Sequence, residues 1–226
     1  MPAQIYVISG VNGAGKSSIG GAALLAQGAP YYNPDLAARR ILDAQPGLDV
    51  PAANAQAWEL GRVGLERALR DGLAYAFETT LGARTITDML IAGAARGAAL
   101  AAAAGASGAA HGAQVHLWYA GLASPELHIQ RVRERVAAGG HDIPETTIRA
   151  RCESSRANLI RLLPHLASLR VFDNSLARDP KAGLRPEPRL LLQMQDRRIL
   201  DHLALQRMPA WAKPIVAAAL LLHGRH

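Results

Sequence analysis

Residues 4–18 read QIYVISGVNGAGKSS. Ile5, Tyr6, Val7 and Ile8 form a short β-rich apolar run that ends in the turn Ser9-Gly10. This is the pattern of a strand buried within a sheet. Beyond it the sequence fits G-x-x-x-x-G-K-S, with Gly10, Gly15, Lys16 and Ser17 at the fixed positions. Each position has a physical task. The glycines let the backbone curl so that successive N–H groups form a nest for phosphate oxygens. The helix predicted from Ser17 aims the positive end of its dipole at the same point. Lys16 reaches the outer phosphates, and the Ser17 hydroxyl is of a kind that holds Mg²⁺. Nucleotide contacts are therefore expected from Gly10, Asn12, Gly13, Ala14, Gly15, Lys16, Ser17 and Ser18.

Working outward, apolar strand patterns recur at 73–81 (LAYAFETTL), 114–122 (QVHLWYAGL) and 169–175 (LRVFDNS), separated by helical stretches. A further short strand is predicted to end near Tyr32, with a helix starting around Pro34. Ser124 is the expected cap of the helix LHIQRVRERVAAG, which stops at Gly139-Gly140. Alternating strands and helices predict an α/β fold of the P-loop NTPase type, a parallel sheet with helices on both faces. Residues 1–176 make the expected principal domain. Within it, 97–112 hold thirteen Ala or Gly in sixteen and read as an exposed insertion. The three prolines of 177–189 mark a linker, followed to 226 by a small C-terminal appendage of a hairpin and a closing helix.

The 226 residues are enough for one sizeable α/β domain, and half are hydrophobic. A single cysteine, Cys152, excludes a disulfide framework and suits a reducing cytoplasm. No secretory signal pattern opens the chain, and no apolar run has the length of a membrane span. The net charge of +7 invites a nucleic-acid partner, but no basic-aromatic interleaving supports one. Excess arginine around phosphorylated ligands is the plainer account.

In an open parallel sheet, reacting groups gather at the carboxyl ends of the strands. Asn33-Pro34-Asp35 follows the second strand, and Glu78-Thr79-Thr80 ends the third. Asp35 is the candidate general base for an attacking hydroxyl; its alternative role is a carboxylate favourable in a helix first turn. Glu78 closes an apolar strand, where a carboxylate is costly without a partner such as a substrate hydroxyl, Mg²⁺ or Lys16. Arg131 and Arg135 lie one turn apart on one helix face. Arg149 and Arg151 follow the Gly-Gly hinge. Together they suit a helical lid over 131–156 whose planar donors meet developing phosphate charge; a solvated basic face is the alternative. No apolar strand ends in Asp-Glu, as a motor-type ATPase requires, so phosphoryl transfer to a small molecule is favoured.

The stretches GVNGAGKSS, NPDLAA, FETTLGART, RVRERVAAGGHDIPETTIRAR and VFDNS occur in an order that resembles the zeta-toxin-like P-loop kinases. The resemblance covers residues 4 to 175 and is closest to the common bacterial branch. It implies transfer of a phosphoryl group from ATP or GTP, with Mg²⁺, to the sugar hydroxyl of UDP-N-acetylglucosamine. It also implies an antitoxin protein as a possible partner. By the same resemblance, Lys16 is the phosphate lysine, Ser17 the Mg²⁺ ligand and Asp35 the base. Asn33, Glu78 and Thr80 are substrate contacts, Arg131 and Arg135 fall among the phosphate-binding arginines, and Asp173-Asn174 lies near the nucleotide base. The chain departs from the pattern in its 97–112 insert, in Cys152, and in the bulk of Tyr31-Tyr32. Two rivals stay open: a kinase of another small hydroxyl compound or nucleotide, and a nucleotide-binding regulatory module with little turnover.

Overall fold

The computed structural model describes residues 2–19, 31–103, 112–176 and 187–224, without the side chains of 17, 18 and 97–103. Seven strands form one sheet in the order β2-β3-β1-β4-β5-β6-β7. They are β1 (Gln4–Ser9), β2 (Tyr31–Tyr32), β3 (Ala74–Thr79), β4 (Gln114–Gly121), β5 (Ser168–Asp173), β6 (Arg189–Gln195) and β7 (Arg198–His202). The first five are parallel. β6 and β7 are antiparallel. The architecture is α/β, a mostly parallel sheet with helices packed against both faces. The helices are α1 (Lys16–Ile19), α2 (Pro34–Ala44), α3 (Val50–Asp71), α4 (Arg84–Ala103), α5 (Pro125–Ala137), α6 (Glu145–Leu162) and α7 (Lys213–His223).

Local chemistry accounts for the element ends. The Asn33 side chain caps α2 by accepting from the N–H groups of Asp35 at 2.9 Å and Leu36 at 3.1 Å, with Pro34 in the first turn. Asp49 caps α3 through the Ala52 N–H at 2.7 Å. Gly72, with φ +69°, ends α3 in the left-handed conformation glycine favours. Ser124 caps α5 as its position predicts, accepting from Leu127 N–H at 3.2 Å. Two glycines on α3 let it lie flush on the sheet. A Cβ at Gly61 would stand 2.7 Å from the Tyr32 ring, and one at Gly64 2.7 Å from the Tyr75 hydroxyl. The Tyr32 hydroxyl donates to the Ala57 carbonyl, pinning α3 to β2.

Alternation along the strands sends two sets of side chains to opposite faces. On one face Ile5, Val7, Val115, Leu117, Leu169 and Val171 pack beneath Leu65, Leu90, Leu159, Ile215 and Val216 of the helices. On the other, Ile8, Ala76 and Trp118 pack with Ile19 of α1. A third cluster, Val11, Ile129, Val132 and Ile148, joins the loop after β1 to α5 and α6.

The C-terminal hairpin and helix, expected as an appendage, continue the main body. β6 pairs with β5, and Trp211, Ile215 and Val216 belong to the large core. The apolar faces that the strands and the helix present are too large to leave in water, so they complete the sheet. Of the expected insertion, 97–103 extend α4, while 104–111 lie outside the described residues, as do 177–186 of the expected linker. Among the described residues no helix is long and apolar enough to cross a membrane.

Trp211 seats its six-membered ring on Gly121 at the end of β4, where a Cβ would meet three ring carbons at 2.3 to 2.6 Å. Gly121→Ala is expected to lower stability by about 1–3 kcal/mol through overpacking. Urea unfolding followed by tryptophan fluorescence measures that loss; an unchanged midpoint would contradict the seating.

Candidate functional site

All five parallel strands point their carboxyl ends at one edge, and the predicted residues meet there. The loop after β1 is curled by three glycines with positive φ: Gly10 at +146°, Gly13 at +83° and Gly15 at +75°. Side chains there have no room: a Cβ on Gly10 would fall 2.3 Å from the Ala120 carbonyl oxygen, and one on Gly13 2.7 Å from that of His128. The Ala14 N–H closes the turn on Val11 O at 3.0 Å. Asn174, at the tip of β5, donates to Ala14 O at 2.8 Å and ties the loop to a strand two places away in the sheet. Neighbouring Asp173 is occupied structurally, accepting from Ser175 and pairing with Arg189 at 3.0 Å.

Lys16 is partly buried and donates to Gly10 O at 3.2 Å. Loss of solvent pushes its pKa down, while the carboxylates of Glu78 and Asp35 push it back up. Glu78 is buried at the tip of β3 and accepts a hydrogen bond from the Tyr31 hydroxyl. Burial, then this bond, raises the Tyr31 pKa far above its ordinary value, so Tyr31 stays a neutral donor. The turn after β3 is held from below, where Asn158 donates to Leu81 O at 2.7 Å and Ala83 O at 3.3 Å. The Thr80 hydroxyl accepts from Gly82 N–H at 3.3 Å.

These groups line an open cleft of about 660 Å³. Its floor is Phe77 to Thr80, and one end holds Asn12, Lys16 and Arg151. One wall carries Asn54, Trp58 and Arg62 of α3; the opposite wall is the 141–144 loop with Thr147 of α6. Asn33 and Asp35 sit at the rim. The Asn33 side-chain oxygen is already committed to capping α2. Asp35 pairs across the cleft with Arg135 at 3.7 Å. Arg135 also donates to His141 O at 2.9 Å, and its Nε–H is buried without a partner.

The four arginines separate. Arg131 lies beside Gly13 and donates to Leu176 O at 3.2 Å. Arg135 faces Asp35, and Arg151 enters the cleft, donating to the Asn12 side chain at 2.8 Å. Arg149, expected alongside Arg151, does not line the cleft; it pairs with Glu126 at 2.7 Å. Two residues on a helix stand about 200° apart, so these two cannot share a face. The hydroxyls of Ser17 and Ser18, expected at Mg²⁺ and phosphate, lie outside the described residues.

Several residues at the site carried no sequence signal. Tyr31 reaches Glu78 from 47 positions away. Trp58 stands 43% exposed at the cleft wall. His128 is buried beneath the loop, its Nδ1–H donating to the Asn12 carbonyl at 2.8 Å. Burial pushes its pKa down to about 4, with lesser contributions from Lys16 and Arg131, against the bond to Asn12.

The glycine-curled loop lies against the backbone of β4 and α5, and its N–H groups stand with the Lys16 ammonium group as donors. That donor set fits the phosphates of a nucleotide. No family model matches the chain, and no curated protein sequence matches it. Among solved structures, a kinase candidate from Chloroflexus aurantiacus is 15% identical over 67% of this chain and 78% of that one, with a TM-score of 0.46. A gluconokinase from Sinorhizobium meliloti is 18% identical over 99% and 93%, with a TM-score of 0.35. A structure from the PezAT chromosomal toxin–antitoxin system of Streptococcus pneumoniae is 13% identical over 100% and 87%, with a TM-score of 0.46. At such scores none of these likenesses bears on the reaction.

Because His128 stays neutral in the fold down to about pH 4, whereas an unfolded histidine protonates near 6.5, stability is unaffected above that value and lost as pH falls between the two. The loss from this group reaches on the order of 3 kcal/mol. Urea unfolding at pH 7 and pH 5 should show a smaller drop in His128→Asn than in wild type; equal drops would contradict the buried neutral ring.

Proposed function

We propose that the protein is a kinase that transfers the γ-phosphoryl group of ATP or GTP to a hydroxyl of a UDP-sugar-like molecule. The observation that carries this reading is the placement of the Asp35 carboxylate within electrostatic reach of Lys16, in one cleft with Glu78 and Thr80. A nucleotide-binding module with no chemistry to perform has no use for an exposed carboxylate facing its phosphate lysine.

The loop N–H groups and Lys16 hold the nucleotide phosphates. The Ser17 hydroxyl is the expected Mg²⁺ ligand, and the ion supplies charge neutralisation on the phosphate oxygens. Glu78, fixed by Tyr31, and Thr80 orient the acceptor. Asp35 accepts the proton of the attacking hydroxyl as that oxygen bonds to phosphorus and the nucleoside diphosphate leaves. Lys16 and Arg135 balance the charge that develops. Arg135 pairs with Asp35 at 3.7 Å, and a phosphate that draws Arg135 to itself frees the carboxylate.

A second reading, a kinase of an uncharged hydroxyl compound, has one observation in its favour. Arg62, a cation of the cleft lining, is held by Glu59 at 2.6 Å and Glu66 at 3.0 Å, and Asp142 also lines the cleft. A diphosphate-bearing acceptor would have to draw Arg62 away from both carboxylates.

Incubation with Mg-ATP or Mg-GTP and a panel of UDP-sugars and uncharged sugars, followed by ³¹P NMR, tests both readings. A new ester on a UDP-sugar supports the first, and one only on an uncharged sugar supports the second. Asp35→Asn should lower the rate by about 10²–10⁴ while leaving nucleotide affinity intact. Tight nucleotide binding with no ester on any acceptor would overturn the kinase reading in favour of a regulatory module.

A further inference from the structure

The loop apex is gripped by both helices that carry the arginines. His128 of α5 donates from Nδ1 to the Asn12 carbonyl at 2.8 Å. Arg151 of α6 donates to the Asn12 side-chain oxygen at 2.8 Å. Asn12 and His128 are both buried. A carbonyl only accepts, so Nδ1 carries the proton in this bond.

The Asn12–Gly13 peptide is trans, so its C=O and N–H point in opposite directions. Holding the Asn12 oxygen against α5 therefore turns the Gly13 N–H away from α5. That orientation is not self-sustaining. Gly13 is a glycine at φ +83°, the residue type for which rotation of the adjoining peptide costs least. A rotated peptide would present the Asn12 carbonyl oxygen to the phosphates, replacing a donor with an electronegative atom. Gly13 also has no alternative seat, because its Cα lies against the His128 carbonyl, 2.7 Å from where a Cβ would be.

We propose that His128 is a positioning residue of the nucleotide site, which locks the Asn12–Gly13 peptide with its N–H facing the phosphates. It acts through Asn12 and touches no phosphate itself. Because Arg151 grips the same asparagine, the loop acquires its phosphate-binding form when α5 and α6 are both docked. The inference rests on the nucleotide reading of the loop and is independent of the acceptor.

The test uses calorimetric titration of the full-length protein with Mg-ADP, alongside thermal melting without nucleotide to establish that each variant is folded. His128→Leu removes the donor and should weaken Mg-ADP by about tenfold, the size of one lost hydrogen bond. His128→Asn places its amide N–H where Nδ1–H stands and should restore affinity to within about threefold of wild type. His128→Gln, whose amide lies one bond further out, should remain weak. A folded His128→Leu with wild-type affinity overturns the proposal. Should the leucine variant fail to fold, the two amides decide: equal affinity in His128→Asn and His128→Gln overturns it. Failure of the wild type to bind Mg-ADP overturns the nucleotide reading itself, an outcome distinct from binding that is indifferent to residue 128.

Discussion

An ammonium group drawn partly out of water beside a glycine loop has to be compensated, and much of the site follows from that of Lys16. One carbonyl, Gly10 O, receives its hydrogen bond, which is too little for a desolvated cation. The balance comes from Glu78 and Asp35, carboxylates on the two strand tips that flank it on one side of the sheet. Glu78 is buried and needs its own partner, which Tyr31 provides. The tyrosine in turn is held where it is by the pairing of β2 with β3. Of the two counter-charges, Glu78 is held in place by Tyr31, whereas Asp35 is exposed and pairs with Arg135.

The second constraint is the loop itself. Its glycines adopt backbone conformations that only glycine takes at little cost, and the same freedom leaves the loop underdetermined. Rigidity is imported from outside it: Asn174 on Ala14, His128 and Arg151 on Asn12, and the close approach of Ala120 to Gly10. The site is thus preorganised by four elements far apart in sequence, and the arginine-bearing helices are two of the four.

The cleft beyond Lys16 is less committed. Its distal wall presents an exposed indole, Trp58, together with Asn54, whose amide lies 3.4 Å from His141 across the cleft. An aromatic face and an amide suit a ring bearing polar groups. The engagement of Arg62 by two glutamates leaves this end poor in available positive charge.

The sequence by itself determined the strand–loop–helix unit, the alternation of elements, the caps at Asn33 and Ser124, and the convergence of Asp35, Glu78 and Thr80. Each is a matter of local chemistry or of side-chain period, and parallel topology brings strand tips to one edge without further information. Only the tertiary structure decided which partners those residues meet. Tyr31 with Glu78, His128 with Asn12 and Trp211 with Gly121 are separated by 47, 116 and 90 positions, so nothing in their own surroundings announces the contact. The arginines divide for the same reason. Helical geometry turns Arg149 outward to Glu126 and Arg151 inward to Asn12, and the packing of α6 on α5 selects which of the two faces the cleft. The C-terminal hairpin joined the main sheet because β5 presented an unpaired edge and the core lacked a cover, a demand created by the folded body and carried by no single segment.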